Sequence, residues 1–382
     1  MATNAPKHSI LLFEDDAKIA GELQREIARH LGADLELLVF PLDKKPQSES
    51  GPYEDRLYDA AKASKYKNVV LIVTDRDLST QAWGGLSEAA VTRTAQKLGL
   101  PVACYRQAKT QIEERLRRVP GDGQIELPSD YSERARKIAL LARGFVQMDA
   151  LIRPPEKGQK AGKTKARKRT SNIDDSTLGT PGNLLAGILG QSIAASHFDT
   201  YACGDQNAVA EILEMSRNDS AKINTDNQRR LIVALGVWLA DLVMQYPGVL
   251  VNEVAAASYL NIHPIDFKKP AVREIFDAAL YRDLPFADAE QPMWWRHILD
   301  DIVNEAGVSS GKVLCASRGI KRIRYCPCSV DATIAAGYYC MASGQPLSEE
   351  NSSGRVSWFP AGADLARLTK ATHRKLAPWI GS

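Results

Sequence analysis

No stretch of this sequence approaches the roughly 18 consecutive apolar residues that a membrane-spanning helix needs, so a membrane partner is not expected. The first residues, MATNAPKHSILLFEDD, reach three acids after one short apolar run, which does not read as a secretory signal. Six cysteines spread over 382 residues are too few and too dispersed for a disulfide scaffold. Reduced thiols and a cytoplasmic location are the expectation. Net charge is also scarce: 49 basic against 46 acidic residues leave +3, which by itself implies neither a nucleic-acid nor a membrane-surface partner. No internal repeat is visible in the second half. What remains is an ordinary globular composition, in a chain long enough for two domains.

The first 150 residues alternate short apolar runs with amphipathic stretches. SILLF (9–13), LELLVF (35–40), VVLIV (69–73), PVACY (101–105) and QIEL (124–127) read as strands. Residues 86–98 and 131–148 read as helices, the latter with Ala135, Ile138, Ala139 and Ala142 on one face. Alternating strands and helices with short connections predict a doubly wound parallel sheet. Such sheets carry their site beyond the carboxyl ends of the strands. Two of those ends are acidic here: Glu14, Asp15 and Asp16 after the first strand, Asp75 and Asp77 after the third. Clustered carboxylates repel one another unless protons or a hard cation neutralise them, and an all-oxygen set favours Mg2+. For Asp16 alone, capping of the following helix is the simpler reading.

These residues resemble a known family. ILLFEDD is similar to the first strand and acidic pair of response-regulator receiver (CheY-like) domains, with Glu14 and Asp15 as the pair. VVLIVTDRDL resembles the third strand, with Asp75 where the family accepts a phosphoryl group. The Gly84-Gly85-Leu86 turn and Leu100-Pro101-Val102 also match. The resemblance implies a flavodoxin-like fold of five parallel strands. It further implies Mg2+ at Glu14, Asp15 and Asp75, phosphorelay chemistry, and a histidine kinase or other signalling protein as partner. Two positions depart from the family. Arg106 stands where a Thr or Ser ends the fourth strand, and Leu127, not Lys, precedes Pro128. The spacing from Asp15 to Asp75 is long, with the excess in residues 43–55. A pseudo-receiver is therefore expected, in which Arg106 contacts either a phosphoryl group or the Asp75 carboxylate.

Residues 151–182 read as a flexible basic linker between domains 1–150 and 183–382. Lys163, Lys165, Arg167, Lys168 and Arg169 lie in it, a run suited to a nucleic-acid backbone, to an acidic partner or to mere solubility. Beyond it a mainly α-helical output domain of unknown type is predicted. Its central helix covers 229–244, and further helices lie near 252–260, 270–280, 293–305, 331–342 and 362–376. Glu253 to Phe267 resembles a helix-turn-helix, but Pro270 leaves its second helix about one turn, too short for a major groove.

Cys315, Cys326, Cys328 and Cys340 fall close enough in sequence to consider Zn2+. Only Cys326 and Cys328 are close neighbours, so separately buried thiols are the preferred reading. Ser309-Ser310-Gly311-Lys312 lacks the spacing of a phosphate loop. His197, Cys203 and Asp205 could be drawn as a nucleophile set only if the fold brings them together. The reading as a whole is a receiver-like regulatory protein rather than an enzyme. A nucleic-acid-binding factor and an effector enzyme in the second domain stand as alternatives.

Overall fold

The computed structural model describes residues 7–44, 53–78, 83, 86–107, 116, 123–152, 180–201, 204–218 and 225–377. They fall into two compact units. The first takes residues up to 107, those of 123–152 and those of 204–241; the second takes Leu116, 180–201 and 242–377.

In the first unit, strands β1 (His8–Phe13), β2 (Leu35–Val39), β3 (Val69–Asp75), β4 (Val102–Tyr105) and β5 (Gln124–Glu126) form one sheet in the order β2-β1-β3-β4-β5. Every pairing is parallel. This is the flavodoxin-like strand order expected from the sequence, in which the order reverses beside β1 and β3. The two central strands are apolar on both faces because helices cover both: Ile10 to Phe13 and Leu71 to Val73 are fully buried.

Helices α1 (Ala17–Ala28), α2 (Tyr53–Ala61), α3 (Glu88–Leu98) and α4 (Tyr131–Ile152) surround the sheet. Residues Leu57, Val91 and Ala95 of α2 and α3 share a core with Leu11, Phe13 and Ile72. There Phe40 stacks on Phe13 with ring centroids 4.6 Å apart. Leu23 and Ile27 of α1 and Ile138 and Leu141 of α4 are buried as well, and Arg143 of α4 donates to the His30 carbonyl just past α1 at 3.0 Å. The α2 helix departs from the sequence expectation, its first turn lying at the end of the 43–55 stretch that carries the excess spacing.

The helix Thr225–Val237 also belongs to this unit. Gly236 makes its packing on α4 possible, because a Cβ there would lie 2.4 Å from the Phe145 ring. The expected single helix over 229–244 changes character at Trp238, where Trp238–Val243 winds as a π-helix.

The second unit is less helical than its sequence suggests. Strands β6 (Leu250–Asn252) and β7 (Met293–Trp295) pair antiparallel. Strand β8 (Tyr338–Cys340) lies between β9 (Gln345–Leu347) and β10 (Ala366–Arg367). The helix expected over 331–342 is replaced by a turn and β8. Asp331 accepts from the Thr333 backbone N–H at 3.0 Å, an aspartate turn that competes with helix formation. Likewise 293–295 is strand, and the helix begins only at Arg296. Short helices Glu253–Tyr259, Pro264–Phe267 and Pro270–Ile275 follow one another. Pro264–Phe267 is a single turn, because Pro270 starts a new helix.

Val251, Phe267, Phe276, Trp294, Leu299 and Leu314 build the core of this unit. Asp266 is buried beside it and takes hydrogen bonds from the Arg324 backbone and guanidinium at 2.9 to 3.0 Å and an ion pair from Lys269 at 2.8 Å. Tyr201 ties another part of the unit together, donating to the Tyr246 carbonyl at 2.9 Å and accepting from the Val249 N–H at 3.2 Å.

Candidate functional site

Strands β1 and β3 end side by side, and this places three carboxylates together. One oxygen from each of Glu14, Asp15 and Asp75 lies within 4.8 Å of the other two. Among the described residues no other set of three or more His, Cys, Asp or Glu side chains meets this way. Asp16 stands apart as the cap of α1, accepting from the Lys18 and Ile19 N–H groups at 2.8 and 3.2 Å.

Glu14 is 3 % exposed, Asp75 fully buried, and Asp15 exposed. Glu14 accepts from the Asp16 N–H at 3.0 Å and from the Tyr105 hydroxyl at 2.6 Å. Burial pushes its carboxyl above the usual range, Asp75 and Asp15 push it the same way, and the two hydrogen bonds only partly offset them. Asp75 accepts from the Asp77 N–H at 3.1 Å and from the Gln107 amide at 2.9 Å.

A fully buried arginine lies against Tyr105, the residue that donates to Glu14. Arg134, in the first turns of α4, lies with its guanidinium carbon 4.3 Å from the Tyr105 ring centre. Its Nε donates to the Pro128 carbonyl at 2.9 Å, and its Nη2 donates to the Ser129 and Arg106 carbonyls at 3.0 and 3.2 Å. Its Nη1 is buried without a hydrogen-bond partner. Burial pulls the Arg134 guanidinium below its ordinary value, while the negative charges of Asp75 and Glu14 act in the other direction.

The three carboxylates could hold a metal ion, and their chemistry is compatible with Mg2+. The donors are all oxygens, one of them is solvent-facing, and repulsion among the acids supplies the demand for a cation. Glu14, Asp15 and Asp75 would hold it, and it would offset the repulsion among them.

Sequence reasoning found the three acids and missed Tyr105, Gln107 and Arg134. A faint signal existed for Arg134, which shares a helical face with Ile138 and Leu141 and so occupies a core position. Arg106 is half-buried, and its carbonyl receives Arg134.

The other candidates are placed as follows. Cys315 is packed in the main core of the second unit, and Cys328 and Cys340 cluster with Leu347. Burial pushes the Cys315 thiol up to about 11 and the Cys326 thiol up to about 12. Cys328 and Cys340 share the cluster with Leu347, but among the described residues no three of these cysteines bring their sulfurs within 4.8 Å of one another. Ser310 is a helix cap, accepting from the Val313 N–H at 3.4 Å. Lys163, Lys165, Arg167, Lys168 and Arg169 lie outside the described residues, as do Cys203, the Gly84-Gly85 turn and the Asp205 side chain. No helix among the described residues is long and apolar enough to cross a membrane.

No known protein family matches the chain, and no curated protein matches it.

Proposed function

We propose that the first unit is a receiver-like regulatory module whose acid pocket binds Mg2+ and whose Asp75 accepts a phosphoryl group. The observation that supports this reading most is the meeting of Glu14, Asp15 and Asp75 at the ends of the two central strands. An Asp75 oxygen would attack phosphorus, and the bond to the donor's leaving group would break. Glu14 would be kept in place by Tyr105 and the Asp16 N–H. Arg134 brings a positive charge that Asp75 and Glu14 feel, whereas Leu127 brings none.

Intact-mass analysis after incubation with Mg2+ and acetyl phosphate tests the reading, beside an Asp75→Asn control. A mass increase of one phosphoryl group that vanishes in the control is the expected result. No adduct, together with no Mg2+ binding by calorimetry, would overturn it. Gln107 favours a second reading, since its amide already occupies an Asp75 oxygen. Under that reading the pocket binds Mg2+ without phosphoryl transfer, and the module acts by engaging a protein partner constitutively.

A further inference from the structure

The second unit contains a polar cavity of about 650 Å3 that belongs to no feature described so far. Its walls carry three guanidinium groups, Arg296, Arg355 and Arg367, against two carboxylates, Asp300 and Asp364. These come from the helix Arg296–Glu305, from the loop before β10 and from β10 itself, so the cavity is assembled by tertiary packing rather than by one loop. Both carboxylates are already engaged. Asp364 pairs with Arg296 at 2.5 Å, and Asp300 accepts from the Tyr259 hydroxyl at 2.6 Å.

Arg367 is the unbalanced member. It is 7 % exposed, and its guanidinium carbon lies 4.2 Å from the Tyr338 ring centre. Its Nη1 donates to the Asp364 and Ala366 carbonyls at 2.7 and 3.0 Å. Its Nε is buried with no hydrogen-bond partner, and among the described residues no carboxylate pairs with it. A buried cation without a counter-charge is costly, and a guanidinium presents donors in a planar fork suited to a carboxylate or a phosphate. Arg355, on the exposed rim, donates to the Ala361 carbonyl and keeps its charge at the cavity mouth.

Two further facts narrow the ligand. Three arginines against two aspartates line the walls, and Glu349 is hydrogen-bonded to the lining Tyr338. The surplus positive charge is therefore at most one and suits a monoanion better than a phosphate dianion. The Asp364 side chain that pairs with Arg296 is 42 % exposed, so the cavity also presents an acceptor for a donor group. We infer that this cavity binds a small carboxylate that also carries an amino or hydroxyl donor, with Arg367 and Arg355 on the carboxylate and Asp364 on the donor.

The test is calorimetric titration of the full-length protein with the common L-amino acids, L-lactate and inorganic phosphate as separate probes. Saturable binding of at least one carboxylate probe is expected, with affinity reduced about tenfold or more in Arg355→Gln and in Arg367→Gln. Arg355 is on the rim, so its variant tests the site even if the buried Arg367 variant does not fold. No saturable binding of any carboxylate probe at millimolar concentration would overturn the inference. Affinity unchanged in Arg355→Gln, or phosphate preferred to every carboxylate, would also overturn it.

Discussion

Glu14 and Asp266 are both buried carboxylates, and their neighbours push them in opposite directions. Glu14 shares its surroundings with two other acids, and burial drives it toward the protonated form. Asp266 is surrounded by cationic donors. Hydrogen bonds from Arg324 hold it well below its ordinary value of 3.8, and Lys269 adds to them. The linkage follows from the folded value being the lower one. Stability contributed by Asp266 is complete above about 3.8 and is lost as pH falls through the depressed folded value. Urea midpoints measured in steps below pH 4 are expected to fall less steeply in Asp266→Asn than in the parent protein. An unchanged slope would show that the Arg324 contacts do not couple to folding. Glu14, Asp15 and Asp75 announce themselves because an acid directly after an apolar strand has no packing role. Tyr105 looks like any strand aromatic. It becomes a site residue only when β4 pairs with β3 in the register that sets it opposite Asp75.

At the scale of elements, the sheet was legible because parallel strands buried on both faces leave continuous apolar runs. The second unit was not, because its strands are only two or three residues long, too short to show a periodic apolar pattern. Close backbone approaches matter more there. A Cβ on Gly248 would lie 2.0 Å from the Gly362 carbonyl oxygen and 2.2 Å from the Tyr201 hydroxyl, and a Cβ on Gly362 would meet the Tyr201 ring at 2.2 Å. Neither the backbone nor the bonded phenol can withdraw without breaking the Tyr246 and Val249 contacts. Gly248→Ala is therefore expected to cost about 1 to 3 kcal/mol in unfolding free energy, the range typical of overpacked cores. Denaturant titration followed by tryptophan fluorescence measures it. A change within a few tenths of a kcal/mol would mean that this junction relaxes freely.

At the scale of the whole molecule, the two units are not consecutive in the chain. The polypeptide builds the sheet and α4, contributes 180–201 to the second unit, returns to the first with 204–241, and then completes the second. A cut after residue 150, which the sequence invites, leaves the first unit without its helix Thr225–Val237. Phe145 would lose the surface it packs on at Gly236, as would the neighbouring Val146 face. A fragment ending at residue 152 is expected to be less stable than the same unit in the full chain by about 2 kcal/mol or more, the scale of one large apolar side chain returned to water. Self-association of the fragment in sedimentation experiments is the companion expectation. A fragment that is monomeric and unfolds at the full-chain denaturant midpoint would show that the helix adds nothing.

The late arrival of Thr225–Val237 also sets a schedule for synthesis. The ribosome releases the sheet and α4 well before it releases their covering helix, at a pace of roughly 5 to 20 residues per second. For several seconds the nascent first unit displays an apolar helix face with nothing over it. That interval is when a chaperone would find this protein, and when two copies on one message would be most prone to stick to each other.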